Sequence, residues 1–206
     1  MVIRALQRSL SFETDGGIAD QVKRRGASHP RGSWVRIREL PAYVVQAVVT
    51  AEDARFVAHW GVDLLAFGDV LSSSSGGHGA KRSVRLRGAS TITMQTVKNL
   101  FLWPGRSYIR KGLELVMAPI AGLIWGKRRT LELYLNVIEW GDGVYGIDAA
   151  AWSYFNKRAA KLTLREAAAL AAILPNPRRL SPLVMAKATR RRFERIMRES
   201  YATKVP

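Results

Sequence analysis

From Trp34 onward, apolar residues recur mostly three and four positions apart, the spacing of helices that turn one side toward a core. Val44, Val45 and Val48 line one side of a segment that Pro41 opens and Glu52 closes. Ser90 is the expected N-cap of a second helix, with Met94, Val97 and Phe101 facing inward. That register brings Gln95, Lys98 and Asn99 near one another on another side. Ser107 opens a third helix running through Glu114 toward Trp125, with a kink expected at Pro119. Leu131 to Val137 reads as a short helix, Gly141-Asp142-Gly143 as a turn, and Tyr145 to Phe155 as helical again. Thr163-Leu164-Arg165-Glu166 is a capping box for an Ala-rich helix that stops at Pro175-Asn176-Pro177. No segment alternates convincingly as a strand and none repeats. The pattern predicts a mainly α fold.

The same pattern divides the chain. Residues 1–32 are rich in Gly, Arg and Ser without periodicity and read as a loose basic arm. Residues 33–183 form one domain, interrupted at 72–87 by a Ser/Gly run with a basic exit, expected to be a mobile loop. Residues 184–206 are expected to form a basic helix carrying Arg190, Arg191, Arg192, Arg195 and Arg198. At 206 residues the chain is long enough to bury a core without staples, and with no cysteine it makes no disulfide. Its formal charge of +17 points to polyanions: nucleic acid, anionic lipid or a phosphorylated substrate. The longest apolar stretch, Leu113 to Trp125, is interrupted by Glu114 and Pro119 and is too short to span a bilayer. The first thirty residues show no apolar signal segment, so taken alone the sequence predicts that the chain stays where it is made.

Three polar blocks carry the candidate chemistry. In the first, Glu52 and Asp53 are followed by Phe56 and His59; a carboxylate beside apolar residues suits a general base, but taken alone it more readily reads as a helix-end acid paired with an arginine. His59 has neither a second His nor a Cys near it, which argues against a zinc site. In the second, Ser90, Thr91, Gln95, Lys98 and Asn99 sit at a helix start, which suits a phosphate and equally an ordinary capped helix. The third sets Arg106, Arg110 and Lys111 before Glu114: either cations for an anionic leaving group or ion pairs along a helix. Leu64 to Leu71 and Phe101-Leu102-Trp103 offer an apolar face suited to a membrane interface, or to a core. Nucleotide-binding and zinc-protease motifs are absent, as are the Ser-x-x-Lys and Lys-Thr-Gly motifs of a transpeptidase.

In order, these blocks resemble the peptidoglycan glycosyltransferase family (glycosyltransferase family 51), specifically its monofunctional biosynthetic transglycosylases. The first motif is Glu52-Asp53-x-x-Phe56-x-x-His59-x-Gly61, and the second Gly88-x-Ser90-Thr91-Ile92-Thr93-x-Gln95-x-x-Lys98-Asn99. The third is Arg110-Lys111-x-x-Glu114, the fourth Lys127-x-x-x-Leu131-Glu132-x-Tyr134-Leu135-Asn136, and Ala167 to Pro177 is similar to the closing segment. Met94 stands where the family usually has Gln, and Thr130 where it has an apolar residue.

The resemblance implies a lysozyme-like helical lobe with a small membrane-facing lobe. It implies lipid II and the growing glycan as substrates, with Glu52 the base and Glu114 the second catalytic carboxylate. Asp53, Phe56, His59, Ser90, Thr91, Gln95, Lys98, Asn99, Arg106 and Lys111 would bind substrate. No cofactor is required, although Glu114 could meet Mg or Mn carried by the diphosphate. The expected place is the periplasmic face of the inner membrane, with the membrane surface and other cell-wall synthesis or division proteins as partners and no nucleic acid. Two other readings compete: a lysozyme-like enzyme that cleaves glycan, and a non-catalytic basic module for membranes or nucleic acid.

Overall fold

The computed structural model describes residues 31–65, 90–103, 105 and 107–206. Nearly all of the basic arm, the 72–87 loop, Leu71 and Arg106 therefore lie outside the described residues. Those that are described build six α-helices and one small hairpin.

Helix α1 (Ala42–Glu52) is the centre of the molecule. Val44, Val45 and every residue from Ala47 to Ala51 are buried. The expected one-sided stripe is thus an all-round apolar surface, the mark of a helix enclosed by others. Helices α5 (Leu164–Ile173) and α6 (Lys187–Glu199) pack against it. The Thr163 capping box is formed, with the Thr163 side chain accepting from the Glu166 amide and Glu166 accepting from Thr163 N–H. Every residue from Ala167 to Ile173 is buried, so small side chains let α5 lie close to α1.

Helix α2 (Ile92–Phe101) starts one residue later than expected. Thr91, not Ser90, is the cap: its hydroxyl oxygen accepts from Met94 N–H. Met94 is fully buried, so the Gln-to-Met difference falls in the core and not in an open cleft. Helix α2 packs along α3 (Tyr108–Val137), which Ser107 caps. The break in α3 is at Gly126 (φ 66°, ψ 175°); Pro119 is carried inside the helix at helical angles. Thr130, one turn on, donates to the Gly126 carbonyl at 2.7 Å. Its hydroxyl therefore satisfies backbone at the break, something an apolar residue would not do.

Beyond the break, every residue from Thr130 to Val137 is buried. Glu132 and Asn136 use their side chains as backbone partners for an incoming extended segment. Asn136 accepts from Val35 N–H and donates to Val35 O, and Glu132 accepts from Ile37 N–H. These fourth-motif residues hold the start of the domain in place. Strands β1 (Glu139–Gly141) and β2 (Val144–Tyr145) pair antiparallel around the predicted Gly-Asp-Gly turn. With three and two residues, they are too short for alternation to be seen in the sequence. Helix α4 (Ile147–Phe155) follows, and its buried Asp148 accepts from Ser33 N–H and Ala159 N–H.

Candidate active site

Glu52 is the last residue of α1, as the position of Pro41 predicted. A helix C-terminus is the negative end of the macrodipole, so a carboxylate there calls for a compensating cation. Arg192 of α6 supplies it: its Nη2 donates to Glu52 Oε1 at 2.6 Å and to Ala51 O at 2.8 Å. Gln95 of α2 donates from Nε2 to Glu52 Oε2 at 2.9 Å. Both carboxylate oxygens thus carry a donor, one from each flanking helix. The rest of each oxygen's lone-pair capacity stays available to accept a proton.

Asp53 points the other way. Its Oδ2 accepts from Ile92 N–H at 3.0 Å, at the positive N-terminus of α2, and its Oδ1 lies 2.9 Å from His59 Nε2. Gly61 N–H donates to His59 Nδ1, so the proton of the neutral ring sits on Nε2 and is given to Asp53. Phe56 is fully buried beneath this pair, its ring edge-on to His59. Lys127 caps the turn: its ammonium lies 4.4 Å from the Phe56 ring centre and donates to the Phe56 and His59 carbonyls. Burial pulls its pKa below the ordinary lysine value, with Asp53 acting against that shift. Thr91, also buried, donates to Gly61 O. Asp53, Phe56, His59 and Thr91, expected to bind substrate, are all buried. All four lie behind the site, where they fasten the turn after Glu52 to the start of α2.

The cations gather on α2 and the first turns of α3. Glu114 is nearly inaccessible and accepts from Arg110 Nε at 3.2 Å and Lys111 Nζ at 3.0 Å. Lys111 also donates to Ser90 Oγ at 3.1 Å, which brings Ser90 into this wall. Arg110 reaches the Trp103 and Gly105 carbonyls as well, so it holds the link between α2 and α3. Lys98 joins the two halves. Its pKa is lowered first by burial; Glu114 opposes the shift, Arg110 and Lys111 reinforce it, and Glu52 opposes it. Its ammonium thus feels both carboxylates and both neighbouring cations. Asn99 donates to Gln95 O within α2.

Glu114 has both oxygens committed to cations, and no group of three or more His, Cys, Asp or Glu side chains is arranged to hold a metal among the described residues. This donor set does not fit a resident ion.

Two residues escaped the sequence reading. Arg192 lay hidden in a run of arginines, although its spacing from the buried Thr189 and Ile196 puts it on the inward side of α6. Tyr134 is fully buried, with its hydroxyl 3.4 Å from Gln95 Oε1.

The chain matches the transglycosylase family over residues 18–201. It is 48% identical to the biosynthetic peptidoglycan transglycosylase of Marinomonas sp. (strain MWYL1), in an alignment covering 81% of this chain and 72% of that protein. The proteins of the same name from Shewanella frigidimarina (strain NCIMB 400) and Brucella suis biovar 1 (strain 1330) are 53% and 52% identical. Those alignments cover 72% and 80% of this chain, and 63% and 69% of the relatives. On a match of this extent, around a carboxylate clamped beside a cationic wall, the chain belongs to the transglycosylase family, the enzymes that polymerise the glycan chains of peptidoglycan.

Proposed function

We propose that this chain extends peptidoglycan glycan by transferring the growing strand, carried on undecaprenyl diphosphate, to lipid II. Glu52 removes the proton from the acceptor 4-hydroxyl, whose oxygen attacks the donor's anomeric carbon as the bond to the diphosphate breaks. Attack opposite the leaving group turns the α-linked donor into a β-1,4 linkage. Lys98, Lys111 and Arg106 meet the departing diphosphate, and Arg110 joins them by its place beside Glu114. Ser90 and Asn99 position the sugars and phosphates, Gln95 positions Glu52, and Glu114 acts by holding Arg110 and Lys111 in register.

The observation that carries this reading is the pairing of a two-donor clamp on Glu52 with a half-buried lysine that feels Glu114 and, more weakly, Glu52. The same geometry disfavours glycan hydrolysis by a carboxylate pair. That chemistry asks one carboxyl to be a protonated acid, whereas Glu114 is bonded to two cations.

The test is polymerisation of lipid II by the purified protein. Glu52→Gln keeps the shape of the clamp and removes the base; kcat is expected to fall by at least ~10²-fold with the unfolding midpoint unchanged. Polymerisation at the native rate by this variant would refute the assignment of the base. Release of muropeptides from sacculi would favour hydrolysis instead.

Peptidoglycan synthesis associates the chain with the cell envelope. We further assign it to the periplasmic face of the inner membrane, where it rests on the bilayer surface among other cell-wall synthesis or division proteins. The exposed apolar side chains of α3 support this placement.

A further inference from the structure

Tyr134 is a puzzle if its only task is packing. It lies on the buried second half of α3 with no exposed surface, where phenylalanine would fill nearly the same volume without bringing a hydroxyl into the core. Burying a hydroxyl costs stability unless it finds a partner. Its partner is Gln95 Oε1 at 3.4 Å. The other end of that amide is fully used, since Gln95 Nε2 donates to Glu52 Oε2 at 2.9 Å and to Ser90 O at 3.3 Å. Gln95 is therefore held at three points, and Tyr134 is the one that comes from outside the exposed site.

We propose that Tyr134 is a positioning residue for the transfer reaction, anchoring the Gln95 amide so that its N–H keeps the Glu52 carboxylate aimed at the acceptor hydroxyl. The inference rests on Glu52 being the base. Without the anchor, the amide can swing toward the sugar hydroxyls and phosphates that enter the site. Glu52 would then keep only the Arg192 support on Oε1 and could rotate about it. Burial, reinforced by Glu52, holds the Tyr134 pKa well above the ordinary tyrosine value, so the hydroxyl remains a donor wherever the enzyme works. Through Gln95 the Tyr134 hydroxyl is one amide away from the Glu52 carboxylate.

The experiment is a double-mutant cycle on lipid II polymerisation. Tyr134→Phe is expected to lower kcat about tenfold, within the range that misplacement of a catalytic group costs, and to leave KM for lipid II within about twofold. In a Gln95→Ala background the same substitution should have no further effect on kcat, because its route to Glu52 is already gone. Native kcat in Tyr134→Phe overturns the proposal. So does a loss of equal size in the Gln95→Ala background, or a loss confined to KM. If phenylalanine lowers the unfolding midpoint, para-fluorophenylalanine at position 134 fills the hydroxyl's space without donating, and the same kinetic split is read from it. Glu52→Gln separates the two failures: if it is inactive while Tyr134→Phe is unimpaired, the base stands and only the anchor falls.

Discussion

Lys98 shows how one residue can be tuned by the company the site needs. It is the cation that feels both carboxylates, yet burial dominates its titration and lowers its pKa. A lysine that binds its proton less tightly in the folded protein than in the unfolded chain has a definite linkage sign. Between its folded pKa and the ordinary value of 10.5, the unfolded chain holds more protons. Stability attributable to Lys98 therefore rises with pH through that window, while its ability to hold a diphosphate falls. Activity should accordingly lose an alkaline limb below the pH at which free lysine titrates. Lys98→Arg replaces this titrating cation with one that stays charged. It is expected to be slower at neutral pH, because a planar fork does not reproduce a point charge, but its alkaline limb should move up. A profile of kcat/KM against pH for both proteins decides the matter; an unmoved limb would assign the limb to another group.

At the scale of elements, the break in α3 sets the geometry, because the half before it keeps one side exposed while the half after it is enclosed by the core. Gly126 sits at φ 66° and ψ 175°, a region essentially closed to residues with a side chain. A Cβ there would meet nothing within 4 Å, so the cost of Gly126→Ala is backbone strain and not a clash. It should destabilise by ~1–3 kcal/mol. Gly112 is the matched control: it lies exposed inside the same helix, also with open space around a Cβ. Gly112→Ala should stabilise by ~0.5–1 kcal/mol. Urea unfolding of both variants reads the two signs, and equal shifts would remove the special role given to the break.

The sequence pointed to Pro119 for this feature because proline has a known local cost and Gly126 shows nothing until its neighbours are placed. The same limit explains the other differences. The ends of α1 and the Thr163 capping box were legible, since they depend on residues within one turn. Thr91 displaced Ser90 as a cap because its hydroxyl also reaches Gly61 O across thirty positions. Arg192 meets Glu52 across 140 positions, a contact that only the packing of α6 on α1 creates. The motifs singled out Asp53, Phe56 and His59; only the fold shows that they are buried.

Over the whole molecule, net charge and exposed apolar surface both bear on where the chain works. The first half of α3 is apolar on two sides. Met117, Ala118, Ala121 and Trp125 face the core, while Ile109, Leu113, Val116 and Leu123 lie exposed at three-, four- and seven-residue spacing. Trp60, Leu64, Leu65 and Trp103 are exposed too, whereas Phe101 stacks on Trp125 and leaves only Trp103 of its triplet facing outward. Core packing accounts for the inner side of α3 and leaves the outer one unexplained. A helix with that outer stripe suits lying in a bilayer interface. No helix of the described residues is long and apolar enough to cross a membrane. Surface attachment through this face should then combine apolar burial with attraction of the +17 chain to anionic lipid. Flotation with vesicles of phosphatidylglycerol and phosphatidylethanolamine separates the two contributions. Raising salt from about 0.1 M to 1 M shortens the Debye length from about 10 Å to 3 Å and should weaken binding without abolishing it. Ile109→Asp with Val116→Asp should abolish the salt-resistant part while leaving the fold intact, since neither side chain is in the core. Binding that vanishes entirely in salt would mean charge alone holds the protein to lipid, and the outer face of α3 would need another partner.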